Sequence, residues 1–337
     1  MYPFFVSFFI CLIITPLVIL FANRKGWFDP LNERKVHTVE IPRLGGVGIM
    51  AAVISSLFLL MNDADFSHLK LFLLGLWIVF LVGVWDDFQP IPPLFKLLGE
   101  LIPILILTYT WQIPLFDLGL ISEHFKWIEF PVTFIFSFWL VNAFNLIDGI
   151  NGLAGSIGFF SLLVAAYLSN SFSNIICFSF AGALLAFLFF NIMKPKVFMG
   201  DGGSLPLGFC LAFAVTQLEG VGKYDFAEPL LFFISATSLP LFDMFRVFVI
   251  RLFHRKNPFK GDKNHLHHLI IELGYSHLKA TLLLTSLSIF SVLMSYLLTK
   301  IFAFPLIGLL VVCTILMTFT FLVWRKVRVL RHLKNRT

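Results

Sequence analysis

Long apolar runs fill most of the chain, and short clusters of polar and charged residues separate them. A helix that crosses the hydrocarbon core of a bilayer needs about 20 apolar residues. The runs therefore predict an all-α integral membrane protein, a polytopic bundle of about eleven transmembrane helices. The predicted spans are 3–22, 44–61, 69–84, 97–112, 130–146, 153–169, 175–192, 204–219, 229–250, 280–299 and 302–323.

The composition agrees with this prediction. Of the 337 residues, 58% are hydrophobic and 13% are charged, whereas a soluble domain has about 25% charged residues. The first apolar run lacks the basic start and the small-residue cleavage site of a secretory signal peptide, so we expect it to remain as a helix. All four cysteines lie inside apolar runs, without the spacing of metal ligands or of a disulfide framework.

Lysine and arginine mark one side of the membrane. Of the 25 basic residues, all but four fall in alternate loops, from 23–43 to the C-terminal tail. Basic loops stay in the cytoplasm, so the N-terminus is predicted outside and the C-terminus inside. The net charge of +6 has the same origin, and a nucleic-acid partner is not needed to explain it. The exceptions are Lys70, Lys126, Lys223 and Lys300.

Four polar clusters share the predicted cytoplasmic side. Charged groups near hydrocarbon are costly, so their convergence predicts a membrane-embedded enzyme. The first cluster is the Asp86–Asp87 pair, which follows the third span. Adjacent carboxylates repel each other unless a cation such as Mg²⁺ neutralises them. A hydrophilic helix end that reaches water is the alternative interpretation.

The second cluster recurs every third residue, at Asn142, Asn145, Asp148 and Asn151. On a helix this spacing keeps the side chains on one slowly drifting face. Amides and a carboxylate offer donors and acceptors to a polar ligand, although hydrogen bonding between helices is the alternative. Gly149 and the glycine three residues later are expected to break the helix and to let the backbone approach a ligand.

The third cluster, Phe198–Ser204, opens the eighth span with three glycines around Asp201. Glycines before a helix N-terminus expose N–H groups that suit a phosphate, and the carboxylate could hold a metal ion that the phosphates share. A glycine-rich turn with Asp201 as a helix cap is an equally good interpretation.

The fourth cluster is His265, His267 and His268, in a predicted basic loop, 251–279, that also holds Arg251. We interpret it as a clamp on a diphosphate, with the imidazoles as hydrogen-bond donors. Nonspecific binding of lipid headgroups is an alternative. A zinc site fits less well, because the loop has no cysteine and the histidine spacing is not that of zinc sites.

Together these residues resemble the polyprenyl-phosphate N-acetylhexosamine-1-phosphate transferases, in particular the undecaprenyl-phosphate N-acetylglucosamine-1-phosphate transferase-like branch. The family is related to the phospho-N-acetylmuramoyl-pentapeptide transferases. Five motifs occur in the family's order over nearly the whole chain, which is expected to form a single transmembrane domain, 1–337. The motifs are HTVEIPRLGG at 37–46, the Asp86–Asp87 pair, NAFNLIDGINGL at 142–153, FMGDGGSL at 198–205 and NHLHH at 264–268.

The resemblance implies transfer of an N-acetylhexosamine 1-phosphate, with N-acetylglucosamine as the default sugar, from a UDP-sugar to undecaprenyl phosphate. UMP would leave, and the lipid-diphosphate product would start a cell-surface glycan such as O-antigen or a cell-wall polymer. The implied cofactor is Mg²⁺, with Mn²⁺ as a substitute. The implied location is the bacterial inner membrane with the site facing the cytoplasm, and a homodimer is an open option.

The family also implies roles for individual residues. Asp201 would be the Mg²⁺ ligand, and Asp148 would lie beside the reacting phosphates and be a second candidate ligand. Asp86 or Asp87 would orient or deprotonate the lipid phosphate. The implied substrate-binding residues are Lys96, Asn142, Asn145, Gly149, Asn151, Phe198, Arg251, His265, His267 and His268.

Two other classes of protein are consistent with parts of the sequence. A polytopic transporter also carries charges within its spans, but near the bilayer midplane and often in two matching halves. A noncatalytic family member is the second alternative, because many relatives have Asp where this chain has Asn151 and because Phe-Gln-Pro follows Asp87. Mg²⁺-dependent UMP release separates both from the enzyme.

Overall fold

The computed structural model describes residues 1–28, 41–61, 63–113, 115, 121–169, 171–218, 228–255, 257, 263–302 and 305–334. Within these ranges every regular element is a helix. Residues 37–40 of the first motif, and parts of the predicted basic loop, lie outside the described residues. The all-α fold class predicted from the apolar runs is therefore confirmed for the described ranges.

Twelve α-helices are present in the described ranges, and eleven of them have at least 16 residues. Each of the eleven predicted spans falls on one of these longer helices. A 3₁₀ helix, Glu123–Ile128, leads into α5. The helices are α1 (Tyr2–Lys25), α2 (Gly45–Leu60), α3 (Asp63–Phe88), α4 (Pro93–Thr110), α5 (Glu129–Ile147), α6 (Leu153–Leu168), α7 (Ser171–Asn191), α8 (Asp201–Thr216), α9 (Glu228–Phe253), α10 (Leu266–Glu272), α11 (His277–Phe302) and α12 (Pro305–Lys334).

Seven helical segments are long and apolar enough to cross a membrane, within the part of the chain that the structure describes. They belong to α1, α3, α5, α7, α9, α11 and α12. The apolar helices α2, α6 and α8 are shorter. Because so many apolar helices lie in one chain, the protein is a polytopic membrane protein.

Helix α8 is the centre of the bundle. Every one of its 16 residues is buried, and it packs against α2, α3, α5, α6 and α7. Its sequence is apolar on all sides, as expected of a helix without a solvent face. Close approach of the neighbouring backbones is possible because small residues such as Gly203 and Gly208 contact them.

Short backbone ladders fix the start of α8 against the start of α2. The N–H groups of Gly45 and Gly46 donate to the carbonyl oxygens of Phe198 and Met199, at 2.8 Å each, and the N–H of Phe198 donates to Pro42. The C-terminus of α3 and the N-terminus of α4 lie beside this junction. The polar clusters that are far apart in sequence therefore meet at one end of the bundle.

Two segments differ from the sequence prediction. Helix α3 continues to Phe88, so that Asp86 and Asp87 lie in its last turn rather than after it. The predicted loop 251–279 contains the short helix α10, and its ends belong to α9 and α11. Charged residues at both places favoured loops in the sequence, whereas in the structure Asp86 pairs with Lys96, and Glu272 of the second segment pairs with Arg331.

Candidate functional site

The centre of the site is a contact between α3 and α8. The carboxylate of Asp87 accepts the backbone N–H of Asp201 at 2.9 Å and that of Gly202 at 2.8 Å. The Asp87 side chain is only 2% exposed. Because the first N–H groups of a helix have no partner within the helix, this carboxylate satisfies two of them and also faces the positive end of the helix dipole.

Two cations neutralise the acids at this contact. Lys96 Nζ lies 3.3 Å from Asp86 and also pairs with the carboxylate of Asp201. Arg43 lies 3.3 Å from Asp201 Oδ1 and 3.5 Å from Asp87 Oδ1. Burial of a carboxylate is costly unless it is paired and hydrogen-bonded. The two basic side chains thus explain why three acids can lie so close together.

The two adjacent acids of α3 have different environments. Asp87 is directed at α8, whereas Asp86 Oδ1 accepts the backbone N–H of Ile91 at 2.9 Å and its other oxygen pairs with Lys96. Asp86 therefore stabilises the turn between α3 and α4, and its side chain is 18% exposed. The sequence analysis gave Asp86 and Asp87 a shared role, but in the structure the two side chains contact different partners.

Asp148 adds a fourth acid. It follows the last residue of α5 as its C-cap and is partly buried. Burial raises the pKa of Asp148 well above its ordinary value, and the nearby carboxylates of Asp201 and Asp87 raise it further, while Arg43 opposes them. Asp148 therefore belongs to the same electrostatic cluster as the acids of α3 and α8.

The donor chemistry of this cluster suits Mg²⁺. Its acids supply only oxygen ligands, which hard cations prefer. Among the described residues no group of three or more His, Cys, Asp or Glu is arranged to hold a metal ion by itself. Mg²⁺ usually binds through one or two carboxylates together with water and substrate phosphates. Asp201, with Asp148, fits that smaller set of protein ligands.

The N-terminus of α8 is not the open phosphate site that its glycines suggested. The N–H groups of Asp201 and Gly202 are taken by Asp87, and those of Gly203 and Ser204 donate to Gly200. Gly200 has φ +69°, and a Cβ there would lie 2.5 Å from Asp87 Oδ2. The glycines thus allow the approach of α3 rather than that of a ligand.

The amides of α5 bond to neighbouring helices. Asn142 Nδ2 donates to Glu100 Oε2 at 2.9 Å, and Asn145 Nδ2 donates to Ser204 Oγ at 3.0 Å. Glu100 is buried and lies one turn after Lys96 on α4. The NH₂ groups of Asn142 and Asn145 therefore form hydrogen bonds between helices, as in the alternative interpretation. Contact of these residues with a substrate stays a prediction.

The turn from Asp148 to Gly152 breaks the helix as predicted. Gly152 is the N-cap of α6 with φ +75°, and its N–H donates to Asn191. The carbonyl of Asn151 accepts the hydroxyl of Thr281 at 2.7 Å, and its N–H lies 3.5 Å from His277 Nδ1. Contacts with α7 and α11 therefore hold this turn in place.

The histidines meet this turn. His267 is 1% exposed, and a Cβ on Gly149 would overlap its Nε2. Both ring nitrogens of His267 are buried without a hydrogen-bond partner. Its ring centroid lies 5.8 Å from that of His265 and 4.2 Å from that of His268. Two of the predicted clusters, the second and the fourth, are therefore neighbours.

The surroundings of His267 disfavour its protonated form. Burial lowers its pKa well below the ordinary value, and the proximity of the His268 and His265 rings lowers it further. A neutral imidazole donates through one nitrogen only. The predicted clamp of imidazole donors is therefore weaker at this residue than the sequence suggested.

Arg251 and Phe198, two of the predicted substrate-binding residues, lie on other segments of the fold. Arg251 is buried in the last turn of α9, on the same face as Asp243 and Val247 at intervals of four residues. Phe198 is half-buried, and its backbone joins the ladder with the start of α2. Contact of either side chain with a substrate stays a prediction.

A small cavity adjoins the carboxylate cluster. Its volume is about 200 Å³. Trp27 and Phe88 make an edge-to-face contact at its rim, with ring centroids 4.8 Å apart. Aromatic residues of this kind are enriched where a membrane meets water. The cavity is lined by Gly26, Trp27, Phe28, Arg43, Leu44, Asp87 and Phe88.

Sequence reasoning missed four residues of the site. Arg43 stands within the quoted PRLGG sequence but received no role, and Ser204 was seen only as part of the helix start. Glu100 follows Lys96 at a helical i,i+4 spacing, which was a usable signal. Asp243 and Arg246 have the spacing of an i,i+3 ion pair, and nothing in the sequence indicates the contact of Asp243 with the histidines.

Comparison with known proteins gives the same family. The model of glycosyl transferase family 4 matches residues 69–219, a range that holds Asp86, Lys96, Asp148 and Asp201. A probable undecaprenyl-phosphate N-acetylglucosaminyl 1-phosphate transferase of Bacillus subtilis (strain 168) is 30% identical over 288 residues, which are 83% of this chain and 80% of that protein.

More distant relatives carry similar names. The undecaprenyl-phosphate alpha-N-acetylglucosaminyl 1-phosphate transferase of Salmonella typhi is 27% identical over 80% of this chain and 77% of its own length. The decaprenyl-phosphate N-acetylglucosaminephosphotransferase of Mycobacterium leprae is 28% identical over 80% of this chain and 76% of its own. With the carboxylate cluster at its centre and these relatives across its length, the chain belongs to the polyprenyl-phosphate N-acetylhexosamine-1-phosphate transferase family.

Proposed function

We propose that the protein transfers N-acetylglucosamine 1-phosphate from UDP-N-acetylglucosamine to undecaprenyl phosphate and releases UMP. The observation that carries the proposal is the cluster of Asp87, Asp201, Lys96 and Arg43 at one end of membrane-spanning helices. A phosphoryl transfer between a lipid and a nucleotide needs acids and cations together at such a boundary. The names of the relatives support the same substrates.

The reaction we propose is direct attack of the lipid phosphate on the donor. An oxygen of the lipid phosphate forms a bond to the sugar-bearing phosphorus, the bond to the UMP oxygen breaks, and UMP leaves with that electron pair. Phosphoryl transfer depends chiefly on positioning and charge neutralisation. Mg²⁺, held by Asp201 with Asp148, would neutralise the diphosphate when bound. Lys96 and Arg43 supply further positive charge there.

The acceptor site is proposed beside Arg43. The cavity next to this side chain lies between the end of α1 and the end of α3, with Trp27 and Phe88 at its rim. Aromatic rings suit the boundary between lipid and water, and a guanidinium binds phosphate oxygens well. Asp87 forms another wall of the cavity and keeps Arg43 oriented towards it.

The donor site is proposed where the turn at Gly149 meets the histidines. The unpartnered ring nitrogens of His267 lie against this turn, and a phosphate or a sugar hydroxyl would satisfy them. The exposed backbone at Gly149 and the half-buried ring of Phe198 offer polar and aromatic contacts for uracil.

The finer topology is part of the proposal. We propose eleven crossings, an outer N-terminus and a cytoplasmic C-terminus in the bacterial inner membrane. The agreement of the eleven predicted spans with eleven longer helices supports the count. The bias of Lys and Arg supports the orientation, because the site lies at the basic end of the helices.

The test is UMP release by the purified protein in detergent with undecaprenyl phosphate, Mg²⁺ or Mn²⁺, and a series of UDP-N-acetylhexosamines. We expect release that needs both the lipid and the metal ion and that is fastest with the N-acetylglucosamine donor. Asp201→Asn should lose most of this turnover while still inserting in the membrane. Absence of release with every donor, from folded protein, would refute the proposal and favour a noncatalytic protein or a transporter.

A further inference from the structure

Asp243 accepts five hydrogen bonds on one buried carboxylate, two of them from Arg246. Its side chain is 4% exposed. Oδ1 accepts from Arg246 at 2.7 Å, and Oδ2 accepts from His265 Nδ1 at 3.0 Å. The backbone N–H of Leu266 lies 3.1 Å from both oxygens. The i,i+3 ion pair visible in the sequence is therefore only one part of a larger arrangement.

This carboxylate joins α9 to the start of α10. Leu266 is the first residue of α10, and the N-cap residue His265 makes no side-chain cap bond of its own. Asp243 supplies the missing cap from another helix and faces the positive end of the α10 dipole. Arg246 also donates to the carbonyl of Asn264. The segment that carries the histidines is thus fastened to α9 on both sides of His265.

The same contact determines which nitrogen of His265 carries a proton. A carboxylate only accepts, so the proton of the neutral imidazole must be on Nδ1. Nε2 is then an acceptor, and it becomes a donor when the ring is protonated. This Nε2 is buried and has no hydrogen-bond partner. A buried polar atom without a partner is unfavourable, so a purely structural histidine would not be expected to keep this orientation.

We infer that Asp243 is a positioning residue for His265, whose tautomer and ring orientation it fixes so that Nε2 accepts a hydroxyl of the UDP-sugar or, when the ring is protonated, donates to its diphosphate. The inference rests on the proposed function, because it takes the histidines as part of the donor site. Arg246 neutralises Asp243, and the cap on Leu266 holds the ring in place. Asp243 itself does not touch the substrate.

The first experiment observes the tautomer directly. Protein labelled with ¹⁵N-histidine is studied by NMR in detergent, and His265→Gln identifies the His265 signals. In the unmodified protein we expect Nδ1 to carry the proton and the Nε2 signal to shift when UDP-N-acetylglucosamine and Mg²⁺ are added. In Asp243→Asn the amide oxygen should stay with Arg246 and Leu266, so that the NH₂ group faces Nδ1 and the proton moves to Nε2.

The second experiment measures steady-state kinetics. For Asp243→Asn we expect the KM for the UDP-sugar to rise on the order of 10-fold, with the KM for undecaprenyl phosphate unchanged. The control is Ser238→Ala, because Ser238 is buried on the same helix and its hydroxyl donates to the Ser235 carbonyl of its own turn. A merely structural role would lower the active fraction and leave both KM values at those of the unmodified protein.

The outcomes separate the inference from the proposed transfer. An unchanged tautomer in Asp243→Asn, or an Nε2 signal that ignores the UDP-sugar, overturns the inference even when UMP is released. An Nε2 signal that responds to the UDP-sugar in a protein that releases no UMP supports the inference and refutes the transfer. If Asp243→Asn does not fold, the unmodified protein decides the question: a proton on Nδ1 together with a response of Nε2 to the UDP-sugar supports the inference, and failure of either overturns it.

Discussion

Asp87 Oδ1 accepts the backbone N–H of Asp201 at 2.9 Å, although 114 positions separate the two residues in the chain. One of the two acids expected to act on the lipid phosphate is therefore also the cap of the central helix. Its second oxygen accepts Gly202, and Arg43 lies beside the first. Asp87 thus caps α8 in addition to its proposed chemical role, whereas Asp86 makes its backbone contact with the turn before α4.

Asp87→Asn should therefore be more harmful to stability than Asp86→Asn. An amide keeps one acceptor oxygen, so one of the two capping bonds is lost, and the pairing with Arg43 is lost with the charge. A lost cap costs about 0.5–2 kcal/mol. We expect a lower melting temperature and a turnover reduced at least 100-fold for Asp87→Asn, measured by thermal unfolding in detergent and by UMP release.

Asp86→Asn is the matched control for this prediction, because it removes the same charge one residue away. Its capping bond to Ile91 can persist through the amide oxygen. Equal melting temperatures for the two variants would contradict the capping role of Asp87.

Lys96 should be needed for the acids to remain together. Its ammonium lies between Asp86 and Asp201, and its removal leaves both carboxylates short of positive charge. Removing one partner of a buried pair costs about 3–5 kcal/mol, and loss of a charge-stabilising donor lowers turnover about 100- to 1000-fold. For Lys96→Met we therefore expect both effects, measured by unfolding and by UMP release.

The control for Lys96→Met is Lys194→Met, since Lys194 is exposed after α7. This control should leave both quantities unchanged. A Lys96→Met protein with normal turnover would remove Lys96 from the phosphate site.

The sequence was a good guide to the helices and a poorer guide to the contacts between them. A long apolar run can be recognised from local composition, and it forms a helix both in contact with lipid and in the interior of the bundle. Each predicted span therefore lies on a helix. The ends were harder to predict, since the polar last turn of α3 and the start of α10 make hydrogen bonds with residues that are distant in the chain.

The candidate site was predicted in its parts but not in its pairing. The acids of Asp86, Asp148 and Asp201 were found from their places at span ends. The cap from Asp87 to Asp201 and the carboxylate shared by His265 and Arg246 need the packing of α3 on α8 and of α9 on α10. No local pattern encodes such a packing, because the partners are set by the whole bundle.

Asn145 and Ser204 provide a test between two interpretations of the amides. Hydrogen bonds between membrane helices contribute about 0.6 kcal/mol on average and up to about 1.7. If their bond at 3.0 Å is purely structural, Asn145→Ala and Ser204→Ala should lower stability similarly, and the double variant should add little. Kinetics then distinguish the roles, since a rise in KM for the UDP-sugar in Asn145→Ala alone would indicate substrate contact.

Gly149→Ala should disturb the donor site without an effect on the carboxylate cluster. A Cβ at this position would overlap His267 Nε2 and lie 2.9 Å from His267 Cδ2. Because His267 is buried, the ring has little room to retreat. We expect the KM for the UDP-sugar to rise on the order of 10-fold while the KM for undecaprenyl phosphate is unchanged. A normal KM for the UDP-sugar would mean that substrate does not use this contact.

His267 should make the stability of the protein depend on pH in one direction. Burial, with the proximity of the His268 and His265 rings, holds the pKa of His267 well below its ordinary value of 6.5. Below pH 6.5 the unfolded chain takes up a proton at this imidazole and the folded protein does not. The free energy of unfolding should then fall as the pH decreases, by up to about 1.4 kcal/mol per pH unit, and this contribution is constant above that range.

His267→Gln removes this proton uptake from the unfolded chain. The difference in free energy of unfolding between the unmodified protein and the variant should therefore shrink as the pH falls from about 8 to about 5. His254→Gln controls for the loss of a histidine, because His254 is exposed at the end of α9. A difference that is independent of pH would mean that the folded protein protonates His267 as readily as the unfolded chain does. That result would refute the interpretation of His267 as a neutral, buried imidazole at the donor turn.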